Sequence, residues 1–149
     1  MTFVCKYVAL YVPDLRAAEG FYREAFAMDL LFRESESEDS SWHTLDADLD
    51  WDDADGRGID VDMVALRRDS LVLALFHGTP APGTLFEISI GVTPDEVDAI
   101  RARLAADATV LESAPGWLRF DDPFGFRWVV QPHDAVFRSS GEIAGRWIP

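Results

Sequence analysis

Two stretches of this chain carry the same plan 80 residues apart. Residues 7–12 (Tyr-Val-Ala-Leu-Tyr-Val) alternate as a strand does. Pro13-Asp14 then opens an amphipathic run with Leu15, Ala18, Phe21, Tyr22 and Phe26 at helical spacing. Residues 87–92 (Glu-Ile-Ser-Ile-Gly-Val) alternate again, and Thr93-Pro94-Asp95-Glu96 starts a second helix carrying Val97, Ile100, Arg101 and Leu104. Val12 thereby superposes on Val92. With 149 residues, the chain holds two copies of one supersecondary unit.

Each helix is followed by strand candidates rather than by another helix. In the first half these are residues 30–33, 61–67 and 71–76; in the second they are 109–113, 117–120 and 127–131. Each half reads β-α-β-β-β. The first module covers residues 1–77, interrupted by an acidic insertion at 35–58 in which 42–45 form a short strand. Residues 78–84 are rich in Gly and Pro, cannot continue a ladder, and form a linker. The second module covers 85–132. A tail, 133–149, carries Val136, Phe137, Ile143, Trp147 and Ile148, which need an apolar partner and predict a homodimer.

Charge narrows the function. The 27 acidic and 13 basic residues leave a net charge of −14, whose field repels phosphate backbones and anionic lipids. Nucleic acid and membrane surfaces are thus poor partners. Twelve carboxylates lie between Glu34 and Asp62 against the single basic residue Arg57. Such a run is either a solvated loop or an attraction surface for a cationic ligand. Cys5 stands alone, which excludes a disulfide framework and multi-cysteine metal sites and fits a reducing cytoplasm.

Several chemical motifs fail on inspection. His43, His77 and His133 lack metal-ligand spacing to one another. Asp53, Asp55, Gly56 and Asp62 match positions of a calcium loop, but Trp51 occupies its first position and Asp62 replaces its closing Glu. No G-x-S-x-G, phosphate loop or dinucleotide fingerprint occurs.

Val8–Phe32 (VALYVPDLRAAEGFYREAFAMDLLF), Ile88–Leu104 (ISIGVTPDEVDAIRARL) and Asp121–Pro132 (DDPFGFRWVVQP) together resemble the vicinal oxygen chelate superfamily of glyoxalase I, extradiol dioxygenases and bleomycin-resistance proteins. The last segment is similar to that family's D-P-x-G turn. The resemblance implies a single α+β domain in which two β-α-β-β-β modules pair into a curled, cup-shaped mixed sheet. It also implies a divalent metal in the cup, held by His and Glu on the first and last strands of each module. Carried onto this sequence, those positions are Tyr7, Glu87, Ala74 and Val129, of which only Glu87 is a metal ligand. The expectation is therefore a site with neither metal nor other cofactor.

Strand alternation then defines the cup lining. Val8, Leu10, Val12, Ile88, Ile90 and Val92 face the helices, leaving Tyr7, Ala9, Tyr11, Glu87, Ser89 and Gly91 toward the cavity. Val72, Ala74, Phe76, Arg127, Val129 and Gln131 join them, with Trp117 and Arg119. Tyr7, Tyr11, Glu87, Ser89, Trp117, Arg119, Arg127 and Val129 are the candidate ligand-binding residues. A buried Glu87 requires Arg119, Arg127 or a cationic ligand to neutralise it. The function expected is metal-free sequestration of a planar, basic small molecule, as in the drug-binding members of the family. The alternative is a glyoxalase-like lyase, isomerase or dioxygenase with an atypical metal site.

Overall fold

The computed structural model describes residues 3–25, 28–79, 85–104, 106, 108–121, 127–133 and 137–149, the side chains of residues 21, 24 and 25 excepted. The elements run β1 (Val4–Val12), α1 (Leu15–Ala25), β2 (Asp29–Glu36), β3 (Trp42–Leu45), α2 (Trp51–Gly56), β4 (Met63–Arg68) and β5 (Leu71–His77). They continue with β6 (Glu87–Val92), α3 (Pro94–Arg103), β7 (Thr109–Ala114), β8 (Trp117–Asp121), β9 (Arg127–Pro132), α4 (Ser140–Ala144) and β10 (Trp147–Ile148). The β-α-β-β-β plan is present twice, as β1-α1-β2-β4-β5 and β6-α3-β7-β8-β9. Phe26, Val136 and the D-P-x-G turn lie outside the described residues, as does most of the linker.

The chain divides into two compact units, one of residues 1–9 and 83–137 and the other of residues 10–82 and 138–149. In the first, the strand order is β1-β6-β9-β8-β7. β6 and β9 run parallel and the other neighbours antiparallel, so the sheet is mixed. Val8 lies opposite Ile88, its equivalent in the repeat, so the first strands of the two copies meet about a local two-fold. One face is apolar: Val92, Leu118 and Val130 are buried with Val97 of α3, and Ile90, Ile100, Leu104 and Phe120 close around them. This is the helix-facing side that alternation assigned to Ile90 and Val92. Pro94 begins α3, where a missing N–H costs nothing, and Asp95 and Glu96 suit the positive end of its dipole.

In the other unit the order is β10-β3-β2-β4-β5. The Asp14 carboxylate accepts from the Ala17 N–H at 2.9 Å at the start of α1, which packs on β4 and β5. Val64, Leu66, Leu73 and Leu75 bury the strands' apolar side chains.

The acidic stretch is more ordered than a solvated loop. β2 continues to Glu36 and turns into β3, the strand expected at 42–45. Beyond it, Asp50 and Asp53 form a reciprocal capping box that starts α2, so Asp53, Asp55 and Gly56 of the calcium-loop match belong to a capped helix, while Asp62 lies past it and accepts from the Glu36 N–H. Arg16 lies 2.8 Å from Asp52. Glu34 is buried and accepts from Thr44 Oγ1 at 3.0 Å and from the Ser140 N–H at 2.6 Å. The tail is likewise built into the unit. α4 starts with a Ser139–Glu142 capping box, and β10 lies parallel to β3. Trp147 packs so closely on Gly141 that a Cβ there would lie 2.5 Å from the indole. Trp147 thus has a partner within its own chain while remaining 45% exposed, and Ile143 is exposed.

One buried ion pair ties the helix to the sheet. Arg33 on β2 donates to both oxygens of Glu19 on α1, at 2.8 and 2.6 Å. Trp51 Nε1 and Arg23 Nη1 complete the carboxylate's coordination at 2.8 and 3.1 Å. Burial pushes the Glu19 carboxyl up, but the Arg33 bonds and charge, the indole and Arg23 outweigh it and hold the group below its ordinary range. A pKa lower in the folded than in the unfolded chain gives stability that is complete above the unfolded value and lost as pH falls through the folded one. The melting temperature should therefore drop on acidification below about pH 4.3, and Glu19→Gln should flatten that acid limb. An unchanged limb in the variant would show that other carboxylates carry it.

Candidate functional site

Opposite the apolar face, strand register sets out a row of side chains. Tyr7 lies beside Ser89, Ser89 beside Val129, Val129 beside Arg119 and Arg119 beside Glu112, crossing β1, β6, β9, β8 and β7. Ala9 and Glu87 form the start of the adjacent row. A bulge at Lys6 sets Tyr7 in this position: pairing steps from Cys5–Ile90 to Tyr7–Ser89. Tyr7, Ala9, Glu87, Ser89 and Val129 are all buried. Alternation in the sequence thus placed Tyr7, Ala9, Glu87, Ser89 and Val129 on the sheet face opposite Ile90 and Val92.

Glu87 is the centre of the row's chemistry. The Tyr7 hydroxyl donates to its Oε1, and Arg119 Nη2 lies 2.9 Å from its Oε2. Of the neutralising groups considered from sequence, Arg119 fills the role. Arg127 instead donates to Asp121 at 2.7 and 3.1 Å. Burial first, then the Glu87 charge, holds the Tyr7 phenol well above the ordinary tyrosine range, so it stays a proton donor. Arg119 also reaches Glu112 at 3.3 Å and lies over the Phe86 ring. Gln131 Nε2 donates to Ser89 Oγ at 2.8 Å.

Two buried atoms in this cluster meet no hydrogen-bond geometry among the described residues: Glu87 Oε2, whose contact is the ion pair with Arg119 Nη2, and Arg119 Nε. The first is an acceptor and the second a donor, and they belong to the same ion pair. A third partner carrying both an acceptor and a donor can complete them.

The remaining candidates are distributed differently. Trp117, on β8 with Arg119, is half-buried and donates its Nε1–H to Glu112 at 3.1 Å. Tyr7 stacks at 4.8 Å on Phe137, the tail residue that needed an apolar partner. One face of its ring is therefore already covered. Tyr11 departs from the expected lining: it is 39% exposed and packs over Gly78, where a Cβ would meet its ring at 2.4 Å. Ala74 is buried on β5, in the other unit. His77 and His133 are exposed, as expected of residues at strand ends; the His133 carbonyl accepts from Lys6 Nζ at 2.8 Å.

Residues 5–130 match the model of the Glyoxalase/Bleomycin resistance protein/Dioxygenase superfamily. The chain belongs to this superfamily. Among solved structures it is similar to a hypothetical protein of Bacillus halodurans C-125, with 11% identity and a TM-score of 0.52 over 89% of this chain and 95% of that one. Matches to Leishmania major glyoxalase I (18% identity, TM-score 0.30, 86% and 85% covered) and Zea mays glyoxalase I (21%, 0.30, 86% and 45%) are looser. This chain spans less than half of the maize protein. No curated protein matches it. The mixed α+β superfamily fold is thus established.

Stability should report the pairing at Glu87. Tyr7→Phe removes one hydrogen bond to a charged acceptor and should cost about 1.5 to 3 kcal/mol. Glu87→Gln leaves the Arg119 guanidinium without its buried counterion and should cost about 3 kcal/mol. Adding Arg119→Met to Glu87→Gln should restore part of the loss. Urea unfolding of the three variants measures this; a double variant less stable than Glu87→Gln would contradict the pairing.

Proposed function

We propose that the protein binds a small organic molecule at the Glu87–Arg119 pair, holding it without a resident metal ion and without transforming it. The observation that carries this reading is a buried ion pair in which, among the described residues, Glu87 Oε2 has only the ion-pair contact to Arg119 Nη2 at 2.9 Å and Arg119 Nε has no hydrogen-bond partner. A hydroxyl, carboxamide or weakly basic heterocycle can donate to the one and accept from the other, and Trp117 and Val129 flank them on the same sheet face.

The donor chemistry supports the metal-free part of the proposal. Glu87 receives a hydroxyl hydrogen on one oxygen and faces a guanidinium at the other. A divalent ion needs lone pairs at those places and would be repelled by Arg119. Tyr7 is held protonated, and Val129 has no donor atom. These residues do not fit the family's metal.

The ligand's charge follows from the same pairing. Arg119 compensates Glu87, so the site does not demand a full cation, while the net charge of −14 draws weakly basic molecules toward the protein. A planar, polar or weakly basic guest, sequestered as in the drug-binding members of the superfamily, fits both facts.

Two measurements test the proposal. Native mass spectrometry of protein purified from its own host should reveal a retained small molecule, lost in Arg119→Met. Elemental analysis after dialysis should find no stoichiometric Zn, Ni, Mn or Fe; a one-to-one metal content overturns the reading in favour of a metal-dependent enzyme.

A further inference from the structure

A cavity is built with the two segments that lie outside the repeat, the insertion and the tail. β3 pairs with β2 only along Glu34–Glu36, because the chain turns away after Leu45. The turn is held by Asp46, whose side-chain Oδ1 accepts from the Asp48 N–H and whose carbonyl accepts from the Leu49 N–H, both at 3.0 Å. The stretch of β2 before Arg33 is thus left without β3 beside it. The tail then brings α4 and β10 alongside. Between them lies a cavity of about 330 Å³, whose lining includes Leu31, Leu45, Asp46, Ala47, Glu142 and Trp147. Its size is at the lower end for sites of small organic ligands.

We propose that this cavity binds a small lipophilic cation, an ammonium carrying an aromatic or alkyl group. Its apolar walls include Leu31 and Trp147, both of which keep more than a third of their surface exposed. Its charge is negative. Asp46 and Glu142 contribute two carboxylates, whereas Arg33, the one basic residue in the lining, spends its charge on the buried Glu19. Glu142 accepts the Ser139 N–H at 2.8 Å, a bond that fixes the carboxylate without neutralising it. An ammonium is attracted both by these carboxylates and by the face of an indole. Ser139, Glu142 and Trp147 lie beyond residues 5–130, the part of the chain that the superfamily model matches. The cavity is independent of the site at Glu87.

Backbone-amide NMR of the full chain, titrated with benzyltrimethylammonium and separately with p-toluenesulfonate, decides the matter. The ammonium should give saturable shifts at Ala47, Glu142 and the Trp147 indole N–H, and the sulfonate should not. Asp46→Asn, which keeps an oxygen for the turn, should weaken binding about three- to fivefold. Ala47→Phe should abolish it by filling the cavity from an exposed position, and Tyr7→Phe should leave it unchanged. Equal binding of the sulfonate, shifts centred on Tyr7 and Arg119, undiminished affinity in a folded Ala47→Phe, or no saturable binding to the wild type would each overturn the proposal.

Discussion

A carboxylate buried in a sheet face must find compensating charge and protons, and the arrangement around Glu87 follows from that demand. A charge removed from water loses several kcal/mol of hydration, which apolar neighbours cannot return. Glu87 recovers part of it from the Tyr7 hydroxyl and part from Arg119. Both partners come from other strands, so the demand also fixes tertiary structure: the Lys6 bulge must place Tyr7 inward, and β8 must present Arg119 rather than its apolar neighbours Leu118 and Phe120.

The second buried carboxylate, Glu19, shows what a completed network looks like. It accepts four hydrogen bonds, from Arg33 twice, Trp51 and Arg23. Nothing is left for a ligand to satisfy, and its role is to join α1 to β2. Glu87 is also buried, but among the described residues its Oε2 has only the ion-pair contact to Arg119, whose Nε has no hydrogen-bond partner. Leaving a buried acceptor and donor unmatched costs roughly 1 to 3 kcal/mol each, a penalty that a bound molecule can remove. Completeness of bonding, rather than burial or charge, is what distinguishes the two glutamates.

The parts of this architecture written locally were legible in the sequence. Alternation in residues 7–12 and 87–92, with Pro13 and Pro94 at the helix starts, defined the repeat, and together with that of 127–131 it placed Tyr7, Glu87, Ser89 and Val129 on one face of the sheet. What depends on register was not legible. Arg119 and Arg127 were equivalent candidates for Glu87 until strand pairing set Asp121 beside Arg127. Tyr11 shares the phase of Tyr7 but packs on Gly78, because period-two alternation assigns a face of the strand and not the neighbour that covers it. Short capped elements were also invisible: α2 has six residues and α4 five, too few for an apolar period, though the Asp50–Asp53 and Ser139–Glu142 capping boxes were signals a closer reading could use.

The additions to the repeat share one physical logic. An acidic insertion has little apolar surface of its own, and a seventeen-residue tail cannot fold alone. Each therefore supplies what the other lacks. β10 gives β3 a second strand neighbour, Glu34 accepts the Ser140 N–H at the start of α4, and Thr44 Oγ1 accepts that of Gly141. Gly141 in turn leaves the space into which Trp147 packs. Insertion and tail thus stabilise one another on the edge of β2, so a change to Gly141, Thr44 or Glu34 acts on both. Among the described residues, the hydrogen bonds and ion pairs of Tyr7, Glu87 and Arg119 involve none of these three, and the tail meets that row through the stacking of Phe137 on Tyr7.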